Sequence, residues 1–65
     1  MDKTIYYVYN RNREIVGQTP IQEQAIKAAM NYAKDGNMYG VSTSNLGTNI
    51  SWYDCYTFVY TMWGD

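Results

Sequence analysis

The hydrophobic positions of this chain repeat with a short period at both ends and a longer one in the middle, and the changes of period mark its elements. Residues 4–10 are rich in β-branched and aromatic side chains and predict a first strand. Asn10, Arg11, Asn12 and Arg13 form a turn, where asparagines can take left-handed conformations. Residues 14–19 return as a second strand, and Gly17 is expected to open a groove for a ring opposite the tyrosines of the first. Across residues 19–36 the pattern becomes helical. Ile21, Ala25, Ile26, Ala29, Met30, Tyr32 and Ala33 sweep one apolar arc, while Glu23, Gln24, Lys27, Asn31, Lys34 and Asp35 fill the other side. Residues 38–43 predict a third strand, residues 44–48 a polar connection containing Gly47, and residues 49–63 read as strand throughout.

The helix carries its own boundary signals. Thr19 suits the N-cap, with Gln22 three residues on to complete a capping box and Pro20 at the first helical position. Gly36 is placed to end the helix in the left-handed conformation. Glu23 and Lys27 form an i, i+4 pair in the favourable order, worth a few tenths of a kcal/mol. The middle of the apolar arc is alanine, so the backbone can approach a sheet closely. These features describe a structural helix rather than a nucleic-acid recognition helix, which would carry more than Lys27 and Lys34 on its exposed face.

The last run is too long for one simple strand. At ~3.3 Å per residue the stretch from Ile50 to Trp63 would reach about 46 Å, against ~24 Å for the roughly 16 residues of the helix. Strict alternation also puts Asp54 in one row with Ile50, Trp52, Tyr56, Phe58, Tyr60 and Met62, and a buried carboxylate there is costly. Either the strand bulges or turns at Asp54 and Cys55, which is the favoured reading, or its end leaves to pair with another chain. The expected fold is therefore α+β: one domain over residues 1–65, with a small antiparallel sheet in the order β-β-α-β-β, the last strand bulged or split. The helix packs on one face, leaving the other rich in tyrosine and tryptophan.

Composition sharpens this picture. A chain of 65 residues is short for burying a core, and such chains lean on disulfides, metals or partner chains. Cys55 is alone, so no internal disulfide forms; together with the lack of a secretion-type apolar segment, this suggests a reducing cytoplasm. No apolar run reaches the ~20 residues of a membrane span. With 8 Tyr, 2 Trp and 1 Phe, a single helix and a small sheet can hardly hide every ring. Exposed Tyr and Trp are enriched at binding hot spots.

Charge and chemistry mostly exclude. The net charge of −1 argues against generic binding to nucleic acid or an anionic membrane. With no histidine, Cys55 has no dyad partner and the commonest metal ligand is missing. The carboxylates Asp2, Glu14, Glu23, Asp35, Asp54 and Asp65 are scattered. Neither an enzyme nor a cofactor or metal site is expected. Residues 42–48 can offer hydroxyls and backbone N–H groups to an anion but lack the lysine of a phosphate loop, and a solvated connection is the preferred reading. Arg11 and Arg13 at the hairpin tip can grip a phosphate or carboxylate.

The phrase from Ile15 to Ala29 resembles the strand-to-helix junction of AP2-type and integrase arm-binding domains. Those domains read DNA with arginine-rich strands; here the strands carry tyrosines, with only Lys3, Arg11 and Arg13, so the resemblance implies no DNA reading. The expected function is a non-enzymatic protein-binding module acting by occlusion, similar in style to small phage or mobile-element inhibitors of host or defence proteins. Trp52, Tyr53, Tyr56, Phe58, Tyr60, Arg11 and Arg13 are its candidate binding residues, and a homo-oligomer is expected. The alternatives are a homo-oligomeric binder of a nucleotide-like small molecule, with rings stacking on the base, and, more weakly, a single-stranded nucleic-acid binder.

Overall fold

The computed structural model describes residues 4–63. Lys3, Asp2 and Asp65, considered above, lie outside the described residues. Five strands form one sheet in the order β2-β1-β3-β4-β5, every neighbouring pair antiparallel. The strands are β1 (Tyr6–Tyr9), β2 (Ile15–Thr19), β3 (Tyr39–Ser42), β4 (Ile50–Tyr53) and β5 (Phe58–Met62), and the helix α1 (Gln22–Tyr32) continues as a 3-10 turn over Ala33–Asp35. Because β2 and β3 are each antiparallel to β1, they run parallel to each other, and parallel strands require a crossover connection. The helix is that crossover, and it lies over β1 and β3 as it passes. No helix among the described residues is long and apolar enough to cross a membrane.

The alanine arc does what its small side chains allow. Ala25 and Ala29 are fully buried against Val8 of β1 and Val41 of β3, with Tyr6, Ile26, Tyr39 and Tyr53 around them. The start of the helix differs from expectation. Thr19 remains in β2, opposite Tyr6, so the N-cap passes to Ile21, which makes no side-chain cap, and no capping box forms. The Thr19 hydroxyl still accepts from the Ile21 N–H at 3.3 Å, steering the chain out of the strand. Pro20 thus falls before the cap rather than at the first helical position. Gly36 ends the helical segment left-handed, at φ 94°, as expected.

The long C-terminal run is split by a turn. Asp54 Oδ1 accepts from the backbone N–H groups of Tyr56 and Thr57, both at 2.7 Å, and the Asp54 N–H donates to the Thr57 carbonyl. The carboxylate that alternation would have buried instead closes the β4–β5 hairpin. At the β1–β2 turn the left-handed residue is Arg13, at φ 63°, not an asparagine. Asn10 is an acceptor there, its Oδ1 taking the N–H groups of Asn12 and Glu14 at 2.9 Å.

The face away from the helix is a second, smaller core. Tyr9, Ile50 and Trp52 are buried on it, bordered by Tyr7, Met38 and Met62. Three features make this possible without a second helix. The Tyr9 hydroxyl donates to the Ser44 carbonyl and accepts from the Gly47 N–H, tying the loop of residues 44–48 across it. The Arg13 side chain reaches Met62. Gly40 lets Trp52 lie flat: a Cβ there would overlap Ile50 Cγ2 and stand 3.1 Å from Trp52 Cε3. Gly17, expected to make the ring groove, faces only Val8, whose Cβ is 4.0 Å from the Cβ position. Gly40 is the glycine that accommodates a ring.

Candidate functional site

β5 is an edge strand, paired within the sheet only with β4. Residues 55–63 contain neither charge nor proline, the usual devices that keep an edge strand from pairing with another chain. Phe58, Val59 and Tyr60 are each close to half exposed, Trp63 is 78% exposed beyond the strand, and Tyr56 is 84% exposed on the turn. A bulge distributes these groups. Trp52 pairs with Tyr60 but Tyr53 pairs with Phe58, leaving Val59 with no opposite residue. Phe58 therefore meets Tyr53 edge-on at 5.6 Å on the helix side, while Tyr60 stays beside Trp52 on the other.

One concavity opens beside this edge, and a second lies further in on the helix side. On the helix side a cleft of about 270 Å³ lies over β1, β3 and β4, lined by Tyr6, Ile26, Val41, Ser51 and Tyr53, with Trp63 at its border. On the opposite side a cavity of about 180 Å³ is lined by Arg11, Arg13, Met38, Trp52, Tyr60 and Met62.

The second cavity has an unbalanced set of polar groups. Arg13 Nη2 donates to the Met62 sulfur at 3.3 Å, and a thioether is a weak acceptor. Among the described residues neither Arg11 nor Arg13 has a carboxylate partner. Trp52 is only 5% exposed, and its indole N–H is buried with no acceptor. Such a group ordinarily finds a partner, so its isolation is a feature to be accounted for.

Four of the expected binding residues, Arg11, Arg13, Trp52 and Tyr60, meet at this cavity. Tyr53 and Phe58 lie on the helix side, and Tyr56 projects from the hairpin turn. Trp52 is a buried floor, not an exposed anchor, because Gly40 lets it sink onto the sheet. The loop of residues 44–48 is not an anion cradle. Ser42 Oγ donates to the Thr48 carbonyl at 2.7 Å, and Ser44 Oγ accepts from the Leu46 N–H and Thr48 Oγ1, so its polar groups are spent on holding the loop closed. Sequence reading missed Met38, Met62 and Trp63 as lining residues, and Gly40 as the residue that creates the floor. A lone glycine inside a strand pattern was the available signal for Gly40.

A second cluster fixes the far edge of the sheet. The Tyr32 hydroxyl donates to the Val16 carbonyl of β2 at 3.4 Å, and its ring stacks on Tyr39 at 5.2 Å. The Tyr39 hydroxyl donates to Asp35 Oδ2 at 2.8 Å. The Asn37 backbone N–H and this hydroxyl hold the Asp35 carboxyl below the usual carboxylate value, and the same bond to Asp35 pushes the Tyr39 phenol up. Compared with known proteins, the chain matches no family model, no curated protein and no solved structure.

Proposed function

We propose that this protein is a non-enzymatic protein-binding module that engages its partner by strand addition at β5. The observation that carries the reading is one uncharged edge strand with half-exposed Phe58, Val59 and Tyr60, beside a cavity of about 180 Å³ on the face away from the helix. In strand addition, backbone hydrogen bonds supply affinity, and pockets for alternate side chains supply specificity. Successive residues of an added strand point to opposite faces, so alternate ones would lie on the side of the Trp52–Tyr60 cavity and the others on the side of Phe58. Phe58, Tyr60 and Trp63 are the aromatic anchors of this interface. A module that works by occluding a surface, as an inhibitor of a host or defence protein would, needs no chemistry beyond this.

The test is capture of a partner from native host extract by the wild-type chain and by Val59→Lys, which puts a charge on the edge at the bulge. The expected result is a partner retained by the wild type and lost by the variant, with its binding slowing amide exchange in β5. Equal retention by the variant, or protection elsewhere, overturns the reading. A second copy of the chain is the other occupant this edge admits, and light scattering separates that outcome from a heterologous partner.

Convergence of Arg11, Arg13, Trp52 and Tyr60 supports the second reading, a binder of a nucleotide-like molecule. Size weighs against it: 180 Å³ is below the roughly 300 Å³ at which small-molecule pockets begin.

A further inference from the structure

We infer that the cavity between Arg11, Arg13, Trp52 and Tyr60 is a binding site for one oxyanion, a carboxylate or a phosphoryl group. The inference stands independently of strand addition at β5. Its basis is the excess of donors. The Arg11 guanidinium has no partner among the described residues, Arg13 rests on a thioether, and the Trp52 N–H is buried without an acceptor. Guanidinium and indole groups only donate, so what completes the site must accept.

Among the described residues, three carboxylates are held elsewhere, and Glu23 stands on the helix, across the sheet from this cavity. Glu14 accepts from Asn10 Nδ2, Asp35 from Tyr39, and Asp54 from its own turn. The ligand must therefore come from outside the described residues. An oxyanion suits the donors chemically, because a guanidinium fork matches a carboxylate or phosphoryl edge with two parallel bonds. It also suits the space: 180 Å³ holds roughly six waters at about 30 Å³ each, enough for one acid group and its nearest atoms. Met38 and Met62 form an apolar wall that would strengthen a charged hydrogen bond by excluding water.

The backbone of Arg13 points the same way. At φ 63° it occupies a conformation that glycine or asparagine adopts more readily, yet a long cationic side chain stands there. That conformation directs the guanidinium over Met62, at the cavity wall. An acceptor stronger than a thioether would draw it inward and bring it into a shared site with Arg11, beside Trp52, which lines the cavity.

The experiment is a titration of 15N-labelled protein with inorganic phosphate and, separately, with acetate, against sodium chloride at equal ionic strength. The readout is the Trp52 indole N–H resonance, assigned by its persistence in Trp63→Phe. A saturable shift of Trp52 is expected with at least one oxyanion and not with chloride. Arg11→Gln and Arg13→Gln should each weaken binding roughly tenfold, as loss of a charge-assisted hydrogen bond does, and the double variant should abolish it. A phosphate preference names a phosphoryl ligand and an acetate preference a carboxylate; either supports the site. Absence of a saturable shift, an equal response to chloride, or undiminished binding by the double variant overturns it. Should Arg13→Gln fail to fold, Arg11→Gln decides alone, because the Arg11 side chain is exposed and unpartnered.

Discussion

At the β2 edge the chain lays one of its own side chains over open backbone, whereas among the described residues no side chain bonds to the backbone of β5. Both edges carry exposed apolar residues, Ile15 and Val16 at one and Phe58, Val59 and Tyr60 at the other. Both also have a register shift, leaving Val16 and Val59 without opposite residues. A bulge is therefore not what distinguishes them. The difference is cover: Tyr32 comes down from the end of the helix onto the Val16 carbonyl, and the helix packs on β2 as it crosses. The crossover places the single helix over β1 and β3, so the β4–β5 hairpin, made afterwards, receives little of it. One topological choice covers one edge and leaves the other without that cover.

Both edges hang on a common centre, and breaking that centre should have the largest effect. Gly40→Ala would drive a methyl group into Ile50 and against the Trp52 ring, both buried. Overpacking of this kind costs about 1–3 kcal/mol, and the upper end is expected because two rigid neighbours must move. Urea unfolding measures it. A cost near zero would mean that Trp52 is not tightly held, and the cavity built on it would lose its floor.

The next effect separates the edges directly. Phe58→Ala or Tyr60→Ala should weaken partner binding by roughly 2 kcal/mol or more, the scale of a hot-spot ring, while the half-exposed side chains contribute less to folding. Val59→Lys should abolish association with the fold intact, whereas Val16→Lys on β2 should leave association unchanged. The same pair of variants tests self-association. Light scattering of the wild type reads it, and a mass of 7.6 kDa throughout a micromolar dilution series would exclude the homo-oligomer expected from the sequence. Equal sensitivity to lysine at both edges would erase the contrast between them.

How much of this was legible in the sequence depends on whether local chemistry or tertiary packing decides each point. The helix, its left-handed end at Gly36 and the break near Asp54 follow from local residues, and the structure has all three. The failed capping box shows the limit: Thr19 has the right neighbours, but pairing with Tyr6 keeps it in the strand. Tertiary packing outweighed a local preference there. Trp52 was legible as a candidate but not as a buried one, because its depth depends on Gly40 in another strand. Phe58 and Tyr60, two residues apart, should share a face by alternation, and a bulge that no local residue announces separates them.

Tyr32→Phe makes β2 more like β5 by removing the donor to the Val16 carbonyl. The bond is exposed and 3.4 Å long, so the loss in stability should be under about 1 kcal/mol. The informative quantity is local: amide exchange in β2 should quicken while β5 is unaffected. Exchange that quickens equally in both strands would mean the hydroxyl supports the whole sheet rather than its own edge.

The smallest effect concerns how Tyr32 is held. Its ring stacks on Tyr39, and Tyr39 is fixed by its hydroxyl bond to Asp35. The Asp35 carboxyl sits below its ordinary value of 3.8, first because it accepts the Asn37 N–H and then the Tyr39 hydroxyl. A depressed carboxylate contributes stability that is fully present above its ordinary value and lost as pH falls through the lowered one. The Tyr39 phenol is raised above its ordinary 10.0 by the same hydrogen bond, so its contribution is present below that value and lost as pH rises through the raised one. The two ends define a window, from the acid range to beyond neutral, in which Tyr32 is held over Val16. At the acid end β2 exchange should quicken as Asp35 protonates, and Asp35→Asn should remove that pH dependence while leaving β5 exchange unchanged. Carbon-detected titration of the Asp35 carboxyl and ultraviolet titration of the tyrosines, with Tyr39→Phe as reference, follow the two groups separately. If the β2 amides ignore pH while Asp35 titrates, the Asp35–Tyr39 bond is only a helix-end contact. The cover on β2 would then rest on the Tyr32 hydroxyl alone.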